Sequence, residues 1–217
     1  MAGQVGGSWR VSAALGACVL VLTACSGSGL PAPAPAIPPP PVTDSASTDW
    51  AYALRVLALG DVASARPYLE QAAQAGDATT SDRAQLYRDL AEVRLALGDR
   101  SGAVTAVELS RDSLSQLPLN ARFTPLERRL GERILQALLD AANDDLAGLT
   151  AACSSDESPP AVDACYLLGW TYEQRAAPAQ ARGAYQAYVD RSPAWSFLRR
   201  APAMREHALT VLATGPA

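Results

Sequence analysis

From Trp50 onward, apolar residues recur at helical spacing and no strand-like alternation survives. Trp50, Ala53, Leu54 and Leu57 follow i, i+3, i+4, i+7. After Gly60-Asp61 the stripe resumes at Val62, Ala65, Leu69 and Ala72. The same phrase then returns: Leu86, Leu90, Val93 and Leu97, a break at Gly98-Asp99, then Ala103 and Val107. Glycine at such a break suits the left-handed residue just past a helix end, and the following Asp can cap the next helix. A chain written this way is constrained to helices folded back on one another in pairs.

A third pair opens at Thr124-Pro125-Leu126-Glu127. Thr as N-cap, Pro at the first helical position and Glu at the third form a capping box. Leu126, Leu130, Ile134 and Leu138 share one face of that helix, and a shorter segment carries Leu146, Leu149 and Cys153. A fourth pair starts after Pro159-Pro160. A final helix with Met204, Ala208 and Val211 ends at Gly215-Pro216. The expected fold class is all-α, with about four helix pairs and a capping helix.

Spacing turns these pairs into a repeat. The fourth reads Cys165-x2-Leu168-Gly169-x2-Tyr172, then Ala181-x3-Tyr185, then Pro193. This resembles the tetratricopeptide repeat, Trp-x2-Leu-Gly-x2-Tyr, Ala-x3-Phe, Pro over about 34 residues, with Cys165 and Tyr185 replacing the Trp and Phe. The first two pairs share Ala65-x3-Leu69 and Ala103-x3-Val107, with Ala53 and Ala91 at the small position of the first helix. They are spaced more widely, which implies longer loops around 76–81 and 113–120, and the third pair lacks the Ala-x3-aromatic signature. The resemblance implies a helical-hairpin solenoid over residues 48–217. In that family the first helices line a concave groove for peptides. By resemblance Trp50, Arg88, Glu92, Tyr166 and Trp170 would face it.

Ahead of the helices the chain changes character. Arg10 is the only charge before Asp44, and an uncharged run from Val11 to Ala24 follows it. That is the anatomy of an export signal, and the run is shorter than the roughly 18–20 residues a membrane-spanning helix needs. Leu22-Thr23-Ala24-Cys25 resembles the bacterial lipobox. The resemblance implies a signal peptide over 1–24 and acylation of Cys25, with Ser26 favouring the outer membrane, periplasmic side, in a Gram-negative host. Residues 25–47 hold Gly, Ser and the tract Leu30–Val42, whose proline density favours an extended spacer.

The net charge is −4, with no Lys and no basic run, so nucleic acid is an unsuitable partner. No phosphate loop, nucleophile elbow or His-Glu-x-x-His is present, so the residues point to no enzyme, no cofactor and no metal site. His207 is the sole histidine and reads as a surface residue. The doublets Arg128-Arg129 and Arg199-Arg200 read as solvated charge, and Asp144-Asp145 and Asp156-Glu157 as helix-end acids. Cys153 closes one helix and Cys165 opens the next. In an oxidising compartment they can pair as a disulfide, the alternative being two buried thiols.

These features lead to an expectation of a lipid-anchored cell-envelope scaffold holding a protein or peptide partner, similar in plan to secretin pilotins and the helper lipoproteins of β-barrel assembly. The alternatives are an accessory domain of a cell-wall or polymer-processing system and a purely structural tether.

Overall fold

The structure is a computed structural model, and it describes residues 45–120, 123–191 and 195–214. The signal peptide, Cys25, the proline tract, Pro193 and Gly215-Pro216 lie outside the described residues. Within them the regular structure is helical: α1 (Ala46–Ala58), α2 (Val62–Gln74), α3 (Thr80–Ala96), α4 (Arg100–Gln116), α5 (Pro125–Ala142), α6 (Leu146–Ser154), α7 (Pro159–Gln174), α8 (Pro178–Arg191) and α9 (Ala201–Ala213). An isolated bridge joins Asn120 and Phe123. The fold class is all-α. None of these helices is long and apolar enough to cross a membrane.

The turns within the pairs share one construction. Gly60, Gly98, Asp144 and Ala176 each have positive φ, at 80°, 80°, 62° and 52°. In each turn that residue's N–H bonds back to the carbonyl three residues earlier, and the next N–H reaches the carbonyl five earlier. The longer bonds are Asp61 to Val56, Asp99 to Arg94, Asp145 to Asp140 and Ala177 to Tyr172, at 2.7–3.2 Å. Paired bonds of this kind around a left-handed residue define the Schellman motif, which satisfies the orphan carbonyls of a helix end. Asp61, Asp99 and Asp145 then cap the next helix, accepting from the N–H of Ser64, Gly102 and Gly148 at 3.1, 2.9 and 3.0 Å. The two glycine breaks stand where the sequence places them, and two further turns of the same form carry no glycine.

Each helix packs against the next, α5 also lies against α3 and α7, and α9 touches α1. Close approach relies on small residues. Ala53, Ala65, Ala91, Ala103 and Ala181 are buried, and a Cβ on Gly169 would lie 2.6 Å from the Tyr185 ring. The sulfurs of Cys153 and Cys165 are joined, with Cα atoms 4.7 Å apart, so α6 is clamped to α7. Two local expectations change. Helix α4 continues through Ser113 to Gln116, because Ser113 and Leu114 pack inward and keep the helix going. Leu126 is 55% exposed: only Ile134 and Leu138 of its stripe are fully buried, since α5 meets α4 further along, at Gly131 beside Leu114.

Candidate interaction face

Helix α3 carries Gln85, Arg88, Asp89 and Glu92 at i, i+3, i+4, i+7, a polar stripe at the spacing usually given to apolar residues. Asp89 and Glu92 are nevertheless buried, and so is Asp163 on α7. Buried carboxylates require partners. These find them in one short non-helical segment, Ser196–Arg200, which bends and turns into α9.

The segment is held by both backbone and side chains. Ser196 Oγ and the Phe197 N–H donate to the two oxygens of Asp163, at 2.6 and 2.8 Å. The Leu198 N–H donates to Ser196 Oγ at 3.0 Å. The N–H groups of Arg199 and Arg200 donate to Glu92, at 2.8 and 3.2 Å. Arg199 Nε lies 3.2 Å from both oxygens of Asp89, and its Nη2 donates to Gln85 at 3.3 Å. Arg200 Nε donates to Glu92 at 3.1 Å. Four consecutive backbone amides, belonging to neither helix nor sheet, thus find side-chain acceptors, as buried amides must.

The expected groove residues meet here in part. Trp50 Nε1 donates to Asp89 at 2.9 Å, and Arg88 Nη2 to the same carboxylate at 3.0 Å. The Arg88 guanidinium also stands 5.8 Å from the Phe197 ring centre. Tyr166 is buried, edge-on to Tyr188 and tilted against Tyr185, each 5.4 Å away. Trp170, one turn further along α7, is half-buried and packs on the core. The face is therefore not open: Glu92 and Tyr166 are covered, and the chain's own C-terminal segment lies over α3 and α7. Arg199-Arg200, expected to be solvated, is the grip of that segment. Its partners are more than 100 residues away in sequence, beyond the reach of any local pattern.

Burial dominates the electrostatics. Desolvation pushes the Asp163 carboxyl up to about 7, opposed by its bonds to Ser196 and Phe197 and reinforced by nearby Glu92. Desolvation likewise raises the Tyr166 hydroxyl to about 12. At the outer edge, Tyr185 donates to Glu173, and His207 Nε2 lies 2.9 Å from the same oxygen. That contact ties α9 to α7 and α8, and His207 itself is exposed, as the sequence places it. Elsewhere the acids are structural. Asp144 pairs with Arg175 and Asp156 with Arg133, both at 2.7 Å, and the arginine hydrogen bonds hold each carboxyl below its ordinary range.

The sequence reading missed Asp89, Asp163, Ser196 and Phe197. Asp163 did carry a signal: it is the only charge between Pro159 and Tyr172, in a helix apolar on every side. A carboxylate in such a helix is buried and held. No protein-family model matches this chain, and no curated protein or solved structure shows significant similarity to it.

Proposed function

We propose that this chain is a tetratricopeptide-like helical solenoid, lipid-anchored at Cys25 in the cell envelope, that holds another protein by a short non-helical segment. Four turns of one construction, together with the contacts of α5 against both α3 and α7, support the solenoid reading. The N-terminal lipobox resemblance supports the anchor and the outer-membrane, periplasm-facing location. The observation that carries the binding role is the pair of helices α3 and α7 gripping a short non-helical backbone, Glu92 accepting the amides of Arg199 and Arg200 and Asp163 that of Phe197. Helical repeats bury their core between neighbours and leave one face for recognition. Here that face is lined with acceptors and charge rather than with a reactive group.

The test is cross-linking in intact cells followed by purification of the full chain from solubilised membranes, with wild type and Arg88→Ala in parallel. Arg88 is chosen because it borders the segment without bonding to its backbone. The expected result is a defined partner recovered with wild type and depleted with Arg88→Ala at equal protein level. Equal recovery from both would refute the assignment of this face.

A further inference from the structure

Resting on that reading, we infer that the partner presents an adjacent arginine pair preceded by an aromatic residue in a short turn, and that Ser196–Arg200 occupies the same site in cis until the partner displaces it.

The inference starts from a mismatch of roles. The strap completes the core through Leu198, so its charged contacts are not needed for that purpose. Yet α3 and α7 place three carboxylates, Asp89, Glu92 and Asp163, at positions otherwise suited to apolar residues. All three are used toward one short stretch of chain. Their chemistry is sequence-reading. Glu92 accepts two successive amides and the second guanidinium, Asp89 takes the first guanidinium through both oxygens, and Arg88 faces the aromatic ring. Arg199 spans two acceptors at once, Asp89 through Nε and Gln85 through Nη2, which the point charge of a lysine does not reproduce.

The strap's outward side differs from its inward one. Trp195 is 52% exposed against Phe197, whereas Leu198 is buried. An incoming segment competes for the same acceptors on α3 and α7 and must fill the core position of Leu198 with an apolar residue of its own. Competition in cis lowers the apparent affinity by the fraction of molecules in which the site is free. Asp89 keeps Arg88 as a counter-charge, but an arginine-poor segment would leave Glu92 buried without one, which disfavours it strongly.

Two measurements on the full chain test this. In the first, an end-blocked, fluorescently labelled peptide copying residues 195–201 is titrated into wild type and into Arg199→Ala/Arg200→Ala, in which the strap loses its side-chain grip. The expected result is binding to the double variant about tenfold or more tighter than to wild type. Binding should be lost when both arginines of the peptide are alanine. Absence of peptide binding to a cooperatively melting double variant, at up to about 1 mM peptide, overturns the proposal.

The second uses hydrogen exchange on unmodified wild type, and it decides alone if the double variant does not fold. The amides of Phe197, Arg199 and Arg200 should exchange at least about 100-fold faster than those in the middle of α7, because the strap opens by itself. Exchange of both at one rate means that the strap leaves only with global unfolding, which also overturns the proposal. A partner depleted by Arg88→Ala, in a protein that ignores the peptide, would remove the arginine-pair inference and leave the scaffold reading intact.

Discussion

Glu92 accepts the backbone N–H of Arg199 at 2.8 Å, closing a loop of 107 residues with one carboxylate on α3. The same side chain takes the Arg200 N–H and Nε, and it is almost wholly buried. Removing one member of a buried, hydrogen-bonded charge pair leaves the other uncompensated. Glu92→Ala should therefore destabilise the fold by about 3–5 kcal/mol, read by urea denaturation. A loss under about 1 kcal/mol would mean the strap contributes little to the folded state.

Asp163 should leave a pH signature of unusual sign. Its folded value, about 7, is raised above the ordinary 3.8, so the folded protein holds a proton that the unfolded chain has released. The stabilisation is full below about pH 4 and falls as pH rises toward about 7, with a limiting slope of about 1.4 kcal/mol per pH unit. Asp144 and Asp156, whose values are lowered, act the other way: their contribution is present above the ordinary value and lost on acidification. Subtracting the Asp163→Asn melting profile from that of wild type isolates the Asp163 component. A flat difference between pH 4.5 and 7 would contradict it.

Gly169 and Ala176 make a matched pair of opposite sign. A methyl group at Gly169 would meet the Tyr185 ring at 2.6 Å, so Gly169→Ala should cost about 1–3 kcal/mol by overpacking. Ala176 carries a Cβ at φ 52°, where only glycine is unstrained. Ala176→Gly should raise stability by up to about 1 kcal/mol, despite glycine's larger unfolded-state entropy. Thermal melts of the two single variants check both signs.

The Cys153–Cys165 bond closes a short loop between α6 and α7. Replacing both by Ala should lower stability by about 2–3 kcal/mol through the freed unfolded chain. The Arg191 guanidinium, which donates to the Cys153 carbonyl at 2.8 Å, would keep the α6 end in place. Mass spectrometry without reductant on exported protein should find the two cysteines in one linked species. Free thiols there would refute the bond.

Cys25 decides the anchor. Wild type should partition into the detergent phase, and Cys25→Ser should be released or stall before processing. Several acyl chains hold a protein firmly where a single one does not. Unchanged partitioning of Cys25→Ser would end the lipoprotein reading.

What the sequence by itself determined is what depends on neighbours within a turn or two. The stripes of α1–α4, the capping box of Thr124 and Glu127 and the glycine breaks at Gly60 and Gly98 are local chemistry, and local chemistry shows in spacing. The pairing of Cys153 and Cys165 was legible for the same reason, since only one turn separates their helices. Asp144 and Ala176 adopt the same left-handed turn without glycine, because helix packing on both sides offsets the local strain. The tertiary structure alone decided that Asp89, Glu92 and Asp163 are buried and that Arg199-Arg200 supplies counter-charge to the first two. Periodicity places a carboxylate on a helix face but cannot say what covers that face. The cover here comes from the opposite end of the chain, drawn in by the desolvation cost of three acids and the amides and guanidiniums that offset it.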